Sequence, residues 1–212
     1  MNRIPVQGLV AAVGLLLAAG PAMPAGSLAA QTLFGARTGD QVFEATVQDR
    51  ELELGEPLLD HDGPYIVVHL RENRVFVFEG SRAIWSAPAG TGTGFRLETG
   101  EHRWKFTTPR GLMRVKRMEK DPMWRAPDWH FVERGVPVPP ENHPSRLIPG
   151  GMGTTALYLG DGIAIHGTER PELLLNPDPE ARRVSHGCIR LTNEAARALM
   201  HRVDVGTPVL IF

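Results

Sequence analysis

From Tyr65 onward, short β-branched or aromatic runs alternate with turn residues, and that punctuation restricts the chain to a fold built mainly of strands. Tyr65-Ile66-Val67-Val68-His69-Leu70 is apolar and β-branched, and Arg71-Glu72-Asn73 supplies a turn. Arg74-Val75-Phe76-Val77-Phe78-Glu79 alternates, then Gly80-Ser81 turns again before Arg82 to Ala87. Arg103 to Phe106 reads as another strand. Leu112 to Met118 reads as one half-exposed strand after the Thr108-Pro109-Arg110-Gly111 turn. Strands resume at Thr155 to Leu159 and Ile163 to Ile165, and Pro208 to Phe212 closes the chain. One segment is helical: Thr192 caps Asn193 to Val203, with Ala195, Ala196, Leu199 and Met200 at helical spacing and Gly206 as the stop. There is no internal repeat and no coiled-coil pattern. The expected class is mainly β, a sandwich or barrel-like arrangement with one or two short helices and a long Pro-rich loop.

Two segments break the strand pattern. Gly90-Thr91-Gly92-Thr93-Gly94 resembles a phosphate loop but lacks the Gly-Lys-Ser/Thr continuation, so the expectation is a flexible turn. Asp121 to Gly153 carries seven of the 18 prolines together with Trp124, Trp129 and Phe131. Its aromatics argue against simple disorder. Two readings stay open: a surface loop pinned by Trp124 and Trp129, or a lid that turns those residues toward a substrate.

The N-terminus reads as an export signal. Arg3 precedes an apolar stretch from Leu9 to Ala19, and Ser27-Leu28-Ala29 suits cleavage after Ala29. The apolar stretch falls short of the roughly 20 residues of a membrane span; the alternative is an uncleaved anchor, the only route to a membrane association. Either way the remainder lies beyond the inner membrane, in the periplasm or cell envelope. The expected divisions are a signal peptide over 1–29, an extension or linker over 30–60, and one globular domain over 61–212. Removing Arg3 takes the formal net charge from −1 to −2, and so near-neutral a chain gives no reason to expect nucleic acid as a partner.

Ser185-His186-Gly187-Cys188-Ile189-Arg190 holds the single cysteine, which cannot form an intramolecular disulfide. A cysteine nucleophile needs a base, an orienting group for that base, and donors where negative charge develops. His166, at the end of Ile163-Ala164-Ile165, is a well-placed base. His186 stands two residues before the thiol. Backbone N–H groups around Gly187 and Cys188 are candidate oxyanion donors, and Arg190 suits a substrate carboxylate. A thiolate populated at neutral pH needs a depressed pKa, so Cys188 is expected to alkylate faster than in a His166→Ala protein. The competing readings are a buried inert cysteine, a satisfied core histidine, and a metal site. His166, His186 and Cys188 lack the paired spacing of common zinc sites, so no metal is expected. Ser185 lacks the nucleophile-elbow pattern and reads as a hydrogen-bonding neighbour.

Ile165-His166-Gly167-Thr168 followed by Ser185-His186-Gly187-Cys188-Ile189-Arg190-Leu191 resembles the signature of the L,D-transpeptidases, the YkuD-like domain. Val67 to Phe78 is similar to that family's opening hairpin, Thr108-Pro109-Arg110-Gly111 to its Thr-Pro-x-Gly turn, and Gly206-Thr207-Pro208-Val209 to its closing strand. The resemblance implies a cell-wall enzyme acting on peptidoglycan stem peptides without metal or cofactor, and acylated by carbapenems. It implies Cys188 as nucleophile on the third residue of a tetrapeptide stem, with release of D-alanine and a thioester. An amine of a second stem, or of an anchored protein, would resolve that thioester. It further implies His166 as base, oriented by the Gly167 carbonyl, His186 near the substrate or oxyanion region, and Arg190 and Thr168 as substrate contacts. Hydrolysis of the same thioester, and a binding module with a degenerate site, are the alternatives. Two departures stand out: 18 residues separate His166 from Ser185, and the 121–153 loop is long.

Overall fold

The computed structural model describes residues 52–100 and 102–212. The expected signal segment and residues 30–51 of the extension lie outside the described residues. A short edge strand β1 (Leu52–Glu53) precedes an antiparallel meander of β2 (Pro64–His69), β3 (Arg74–Glu79) and β4 (Arg82–Pro88). The runs in β2 and β3 are continuously apolar because both of their faces are covered. Ile66, Val68, Val75 and Val77 point into the main core, whereas Tyr65, Val67, Phe76 and Phe78 point the other way. That second face is covered by Leu52, Leu54, Leu58, Leu59 and Phe212. The part of the extension from Leu52 to Leu59 therefore packs on the sheet.

The chain continues through β5 (Thr91–Gly92), a projecting hairpin of β6 (Arg96–Thr99) and β7 (His102–Lys105), β8 (Gly111–Arg114) and β9 (Arg117–Lys120). Leu112 to Met118 is thus two strands in two sheets. Val115 still exchanges backbone hydrogen bonds with Gly206 and Thr207, while the Lys116 amide already donates to Tyr158 in the other sheet. The core-facing parity slips there: Met113 and Val115 face the core, then Met118.

The Pro-rich segment contains β10 (Trp124–Arg125), α1 (Asp128–Val132) and β11 (Leu147–Ile148), the two strands pairing antiparallel. Arg146 locks it: its buried guanidinium donates to the carbonyls of Ala126, Pro139 and Pro140 and to Asp128 Oδ1 at 2.6 Å. The remainder is β12 (Thr155–Gly160), β13 (Ile163–His166), β14 (Arg183–Ser185), β15 (Ile189–Arg190), α2 (Asn193–Met200) and β16 (Pro208–Ile211). Thr192 Oγ1 accepts from the Ala195 amide, the expected cap.

Among the described residues the two larger sheets run β1-β4-β3-β2-β16-β8 and β15-β13-β12-β9. Both are mixed, since β16 is parallel to β2 and β15 is parallel to β13. Their inner faces share one core with Ala195, Ala196 and Leu199 of α2. The result is mainly β, with mixed sheets and no closed barrel. The Gly90–Gly94 segment is not a flexible turn. Thr91 and Gly92 pair with β14, Gly90 pairs with Arg190, and buried Thr91 donates to Asn73 Oδ1. At Gly92 a Cβ would meet the backbone of Phe106 to Thr108, so glycine is there for close approach rather than for mobility.

Candidate active site

The outer face of the four-stranded sheet carries the site. Its register defines two rows across the strands: Arg117, Tyr158 and Ala164, and then Glu119, Ala156, His166 and Arg190. Ile165 pairs with Ile189 and faces the core, so Ala164 and His166 face outward. Cys188, one residue before β15, packs on that same outward face with Met152, Ala156 and Ala164. Strand rise and spacing place the Cα atoms of Cys188 and His166 about 8 Å apart, as diagonal neighbours on adjacent strands. The Cys188 sulfur lies 3.6 Å from the Gly162 carbonyl, toward the start of β13, whereas His166 stands at its end.

Hydrogen bonds fix the turn that presents the thiol. Ser185 Oγ donates to the Cys188 carbonyl at 2.6 Å and accepts from the Gly187 amide at 3.1 Å. Gly187 adopts φ +132°, a region open chiefly to glycine. Thr108 Oγ1 accepts from the Gly92 amide at 2.9 Å and donates to the Gly187 carbonyl at 2.8 Å. The Thr-Pro-x-Gly turn, β5 and the cysteine turn are thereby joined through one buried hydroxyl. The Gly187 amide is committed to Ser185, which leaves the amide of Cys188 itself as the candidate oxyanion donor.

His166 is 5% exposed, and its Nδ1 lies 2.6 Å from the Gly167 carbonyl. A neutral ring with its proton on Nδ1 has Nε2 as its acceptor nitrogen. Burial lowers the imidazole pKa to about 4, against the raising effect of the Gly167 carbonyl and with a further lowering by Arg190. Burial also pushes the Cys188 thiol above its ordinary range, opposed by the Ala164 backbone and Arg190. The expectation of a depressed thiol is therefore reversed. Desolvation outweighs the attraction of Arg190, and the resting pair is neutral thiol and neutral imidazole.

The 121–153 segment covers this face. Trp124 packs against the cluster that includes Met152, Ala164 and Cys188. Trp129, on α1, stacks on the His186 ring with centroids 4.0 Å apart and planes at 13°. His186 Nε2 lies 3.1 Å from both carboxylate oxygens of Glu133, the residue capping α1.

A model of the L,D-transpeptidase catalytic domain, YkuD, matches residues 63–211. The chain belongs to that family. It is 32% identical over 157 residues to the protein named Probable L,D-transpeptidase YbiS of Escherichia coli strain K12, a match covering 70% of this chain and 44% of that protein. It is likewise 32% identical over 156 residues to Probable L,D-transpeptidase ErfK/SrfK of Salmonella typhimurium strain LT2, covering 69% and 43%. The chain thus spans less than half the length of the curated relatives it matches. Among solved structures, an L,D-transpeptidase from Xylanimonas cellulosilytica shares the fold with a TM-score of 0.51 at 22% identity, over 74% of this chain and 63% of that one. A mutant of the Enterococcus faecium L,D-transpeptidase gives 0.50 at 21%, over 71% and 50%.

Within this L,D-transpeptidase domain the expected site residues separate into two groups. Cys188, His166, Gly167, Ser185, Gly187 and Arg190 converge on the outer face or on the turn that feeds it. His186 is held by Glu133 and Trp129. Thr168 is buried, and its Oγ1 accepts from the Arg170 amide at 3.1 Å, so it shapes its own turn. Arg190 Nη1 donates to the Val184 carbonyl at 3.1 Å. Thr108, Glu133 and Asn193 were not singled out individually by the sequence reading. Asn193 Oδ1 accepts from the Thr154 amide at 3.0 Å and its Nδ2 donates to Glu169 at 3.2 Å, tying the exit of the 121–153 segment to the loop after His166. Thr108 was visible as part of its turn motif. Glu133 had no sequence signal, since its partner lies 53 residues away.

Proposed function

We propose that this chain is a thiol-dependent acyltransferase that cross-links peptidoglycan stem peptides in the cell envelope. The observation that carries the reading is the register of β13 with the cysteine turn, which sets Cys188 and His166 diagonally on one lid-covered face. In the first step Cys188 rotates toward His166, and its sulfur attacks the acyl carbon of a stem tetrapeptide as the thiol proton passes to His166 Nε2. The Cys188 amide faces the negative charge that forms on oxygen. The tetrahedral species collapses, the C–N bond to D-alanine breaks, and His166 returns the proton to the departing amine. A thioester remains on Cys188. In the second step an acceptor amine attacks the thioester, His166 takes its proton, and the sulfur leaves and is reprotonated.

Because both groups rest neutral, the proton moves with the attack rather than before it. Trp124 and Met152 over the sulfur support transfer to an amine, since a covered thioester is shielded from water. Arg190, which acts electrostatically on both Cys188 and His166, is proposed to stabilise anionic charge at the site. Purified protein given disaccharide-tetrapeptide is expected to release D-alanine and yield a cross-linked dimer, and Cys188→Ala to do neither. Tripeptide without dimer would instead identify a hydrolase. The apolar N-terminal stretch supports export, and no helix among the described residues is long and apolar enough to cross a membrane.

A further inference from the structure

We infer that Glu133 is a positioning residue: its carboxylate latches the lid to the cysteine turn by holding the imidazole of His186. The inference rests on the acyltransfer reading for its consequence, but not for its geometry. Glu133 caps α1, inside the lid, and His186 lies two residues before the nucleophile. The imidazole is gripped from three directions. Nε2 meets both carboxylate oxygens at 3.1 Å. Trp129 stacks on one face at 4.0 Å, and the Phe106 ring stands edge-on at 4.4 Å. Phe106 also forms a T-shaped contact with Trp129, at 5.3 Å, so hairpin, lid and turn meet at this one ring.

The buried atoms select the tautomer. His186 Nδ1 is buried and has no hydrogen-bond partner. A proton there would be an orphaned buried donor and would leave Nε2 facing a carboxylate without one. With the proton on Nε2, one N–H is shared by two carboxylate oxygens and Nδ1 is only a spare acceptor. Among the described groups around the pair, Arg134 is 4.0 Å from Glu133 and Nη1 of the same arginine lies 2.9 Å from His130 Nδ1. Glu133 is therefore poised between a cation on its own segment and the histidine of the cysteine turn. Breaking the Glu133–His186 contact removes the polar tie and leaves ring contacts on His186 and the packing of Trp124 and Met152 near Cys188 between lid and turn. The lid then leaves the sulfur more often, which admits reagents and water and loosens the turn that aims Cys188.

The test compares wild type with Glu133→Ala and Glu133→Gln, using two readouts that need no transpeptidase activity. The first is the 15N spectrum of the His186 ring, whose nitrogen shifts report which nitrogen carries the proton. Wild type is expected to show the proton on Nε2, and Glu133→Ala a mixture of tautomers. The second is alkylation of Cys188 by a bulky maleimide. Glu133→Ala is expected to raise its rate about two- to tenfold, the population change that follows loss of one hydrogen bond. Glu133→Gln keeps an acceptor and is expected to restore most of the wild-type rate. Unchanged tautomer and unchanged alkylation in Glu133→Ala would overturn the latch. A Glu133→Ala protein too unstable to assay leaves the glutamine variant to decide, since a Gln variant with alanine-like opening contradicts an acceptor-based latch. D-alanine release is scored separately. Its absence from wild type would refute the acyltransfer reading and leave the tautomer result standing.

Discussion

At the scale of single residues, burial governs the chemistry. His166 carries a folded-state pKa of about 4 against an ordinary 6.5. Between those values the unfolded chain binds the proton more readily, so stability is fully present above about pH 6.5 and falls toward pH 4. The largest contribution this allows is about 3 kcal/mol, from roughly 2.5 units at 1.36 kcal/mol each. Denaturant unfolding from pH 7 to 4 should show that slope in wild type and a flatter one in His166→Gln. Equal slopes would mean that His166 is not held neutral by burial. For Cys188 the raised thiol pKa implies slow reaction with small alkylating agents at neutral pH, speeding up as pH rises past the free-thiol region of about 8.5. A fast, pH-independent rate would contradict it. Cys188 and His166 were legible in the sequence because a lone thiol beside Gly and Ser, and a histidine ending an apolar run, have local signatures. The direction of the thiol shift was not legible, because desolvation depends on Trp124 and Met152, which arrive from elsewhere in the chain.

At the scale of elements, the capped start of α2 is the joint between helix and site. Thr192 was readable as its cap from sequence alone, whereas the role of Asn193 emerges only when the loops at Thr154 and Glu169 are folded beside it. Asn193→Ala removes an acceptor from the half-buried Thr154 amide and should destabilise by about 1–3 kcal/mol. Unfolding curves would show this as a lower denaturant midpoint, and D-alanine release should fall more than stability alone explains. A variant matching wild type in both would refute the joint. The Leu112–Met118 alternation was misleading for a definite reason. Strand periodicity continues across a change of sheet, and only the slip of core-facing parity after Val115 marks the crossing. Gly90 and Gly92 misled similarly, since glycine marks close approach as well as freedom, and only the folded neighbours distinguish the two: Leu174 and Val184 beside Gly90, and the Phe106–Thr108 backbone beside Gly92.

At the scale of the whole molecule, two mixed sheets share one core, and Cys188 sits on the outer face of the smaller sheet beneath the 121–153 segment. The mainly-β class, the meander and the closing strand were all legible, because local strand and turn patterns fix them. The place of residues 52–59 was not, because their leucines match only the far face of β2 and β3. A chain beginning at residue 61 should lose about 2–4 kcal/mol, given several half-buried leucines at up to about 1.5–3 kcal/mol each when fully buried. Chemical denaturation of the two lengths compares them, and equal midpoints would show that this segment adds nothing.

The thioester itself is the most direct test. Intact-mass spectrometry of the protein mixed with a stem tetrapeptide and no acceptor should show an adduct of the tripeptide acyl group. Fragmentation should place it on Cys188, and Cys188→Ala should show none. Release of D-alanine by Cys188→Ala, or wild-type turnover with the acyl group on a different residue, would contradict the account.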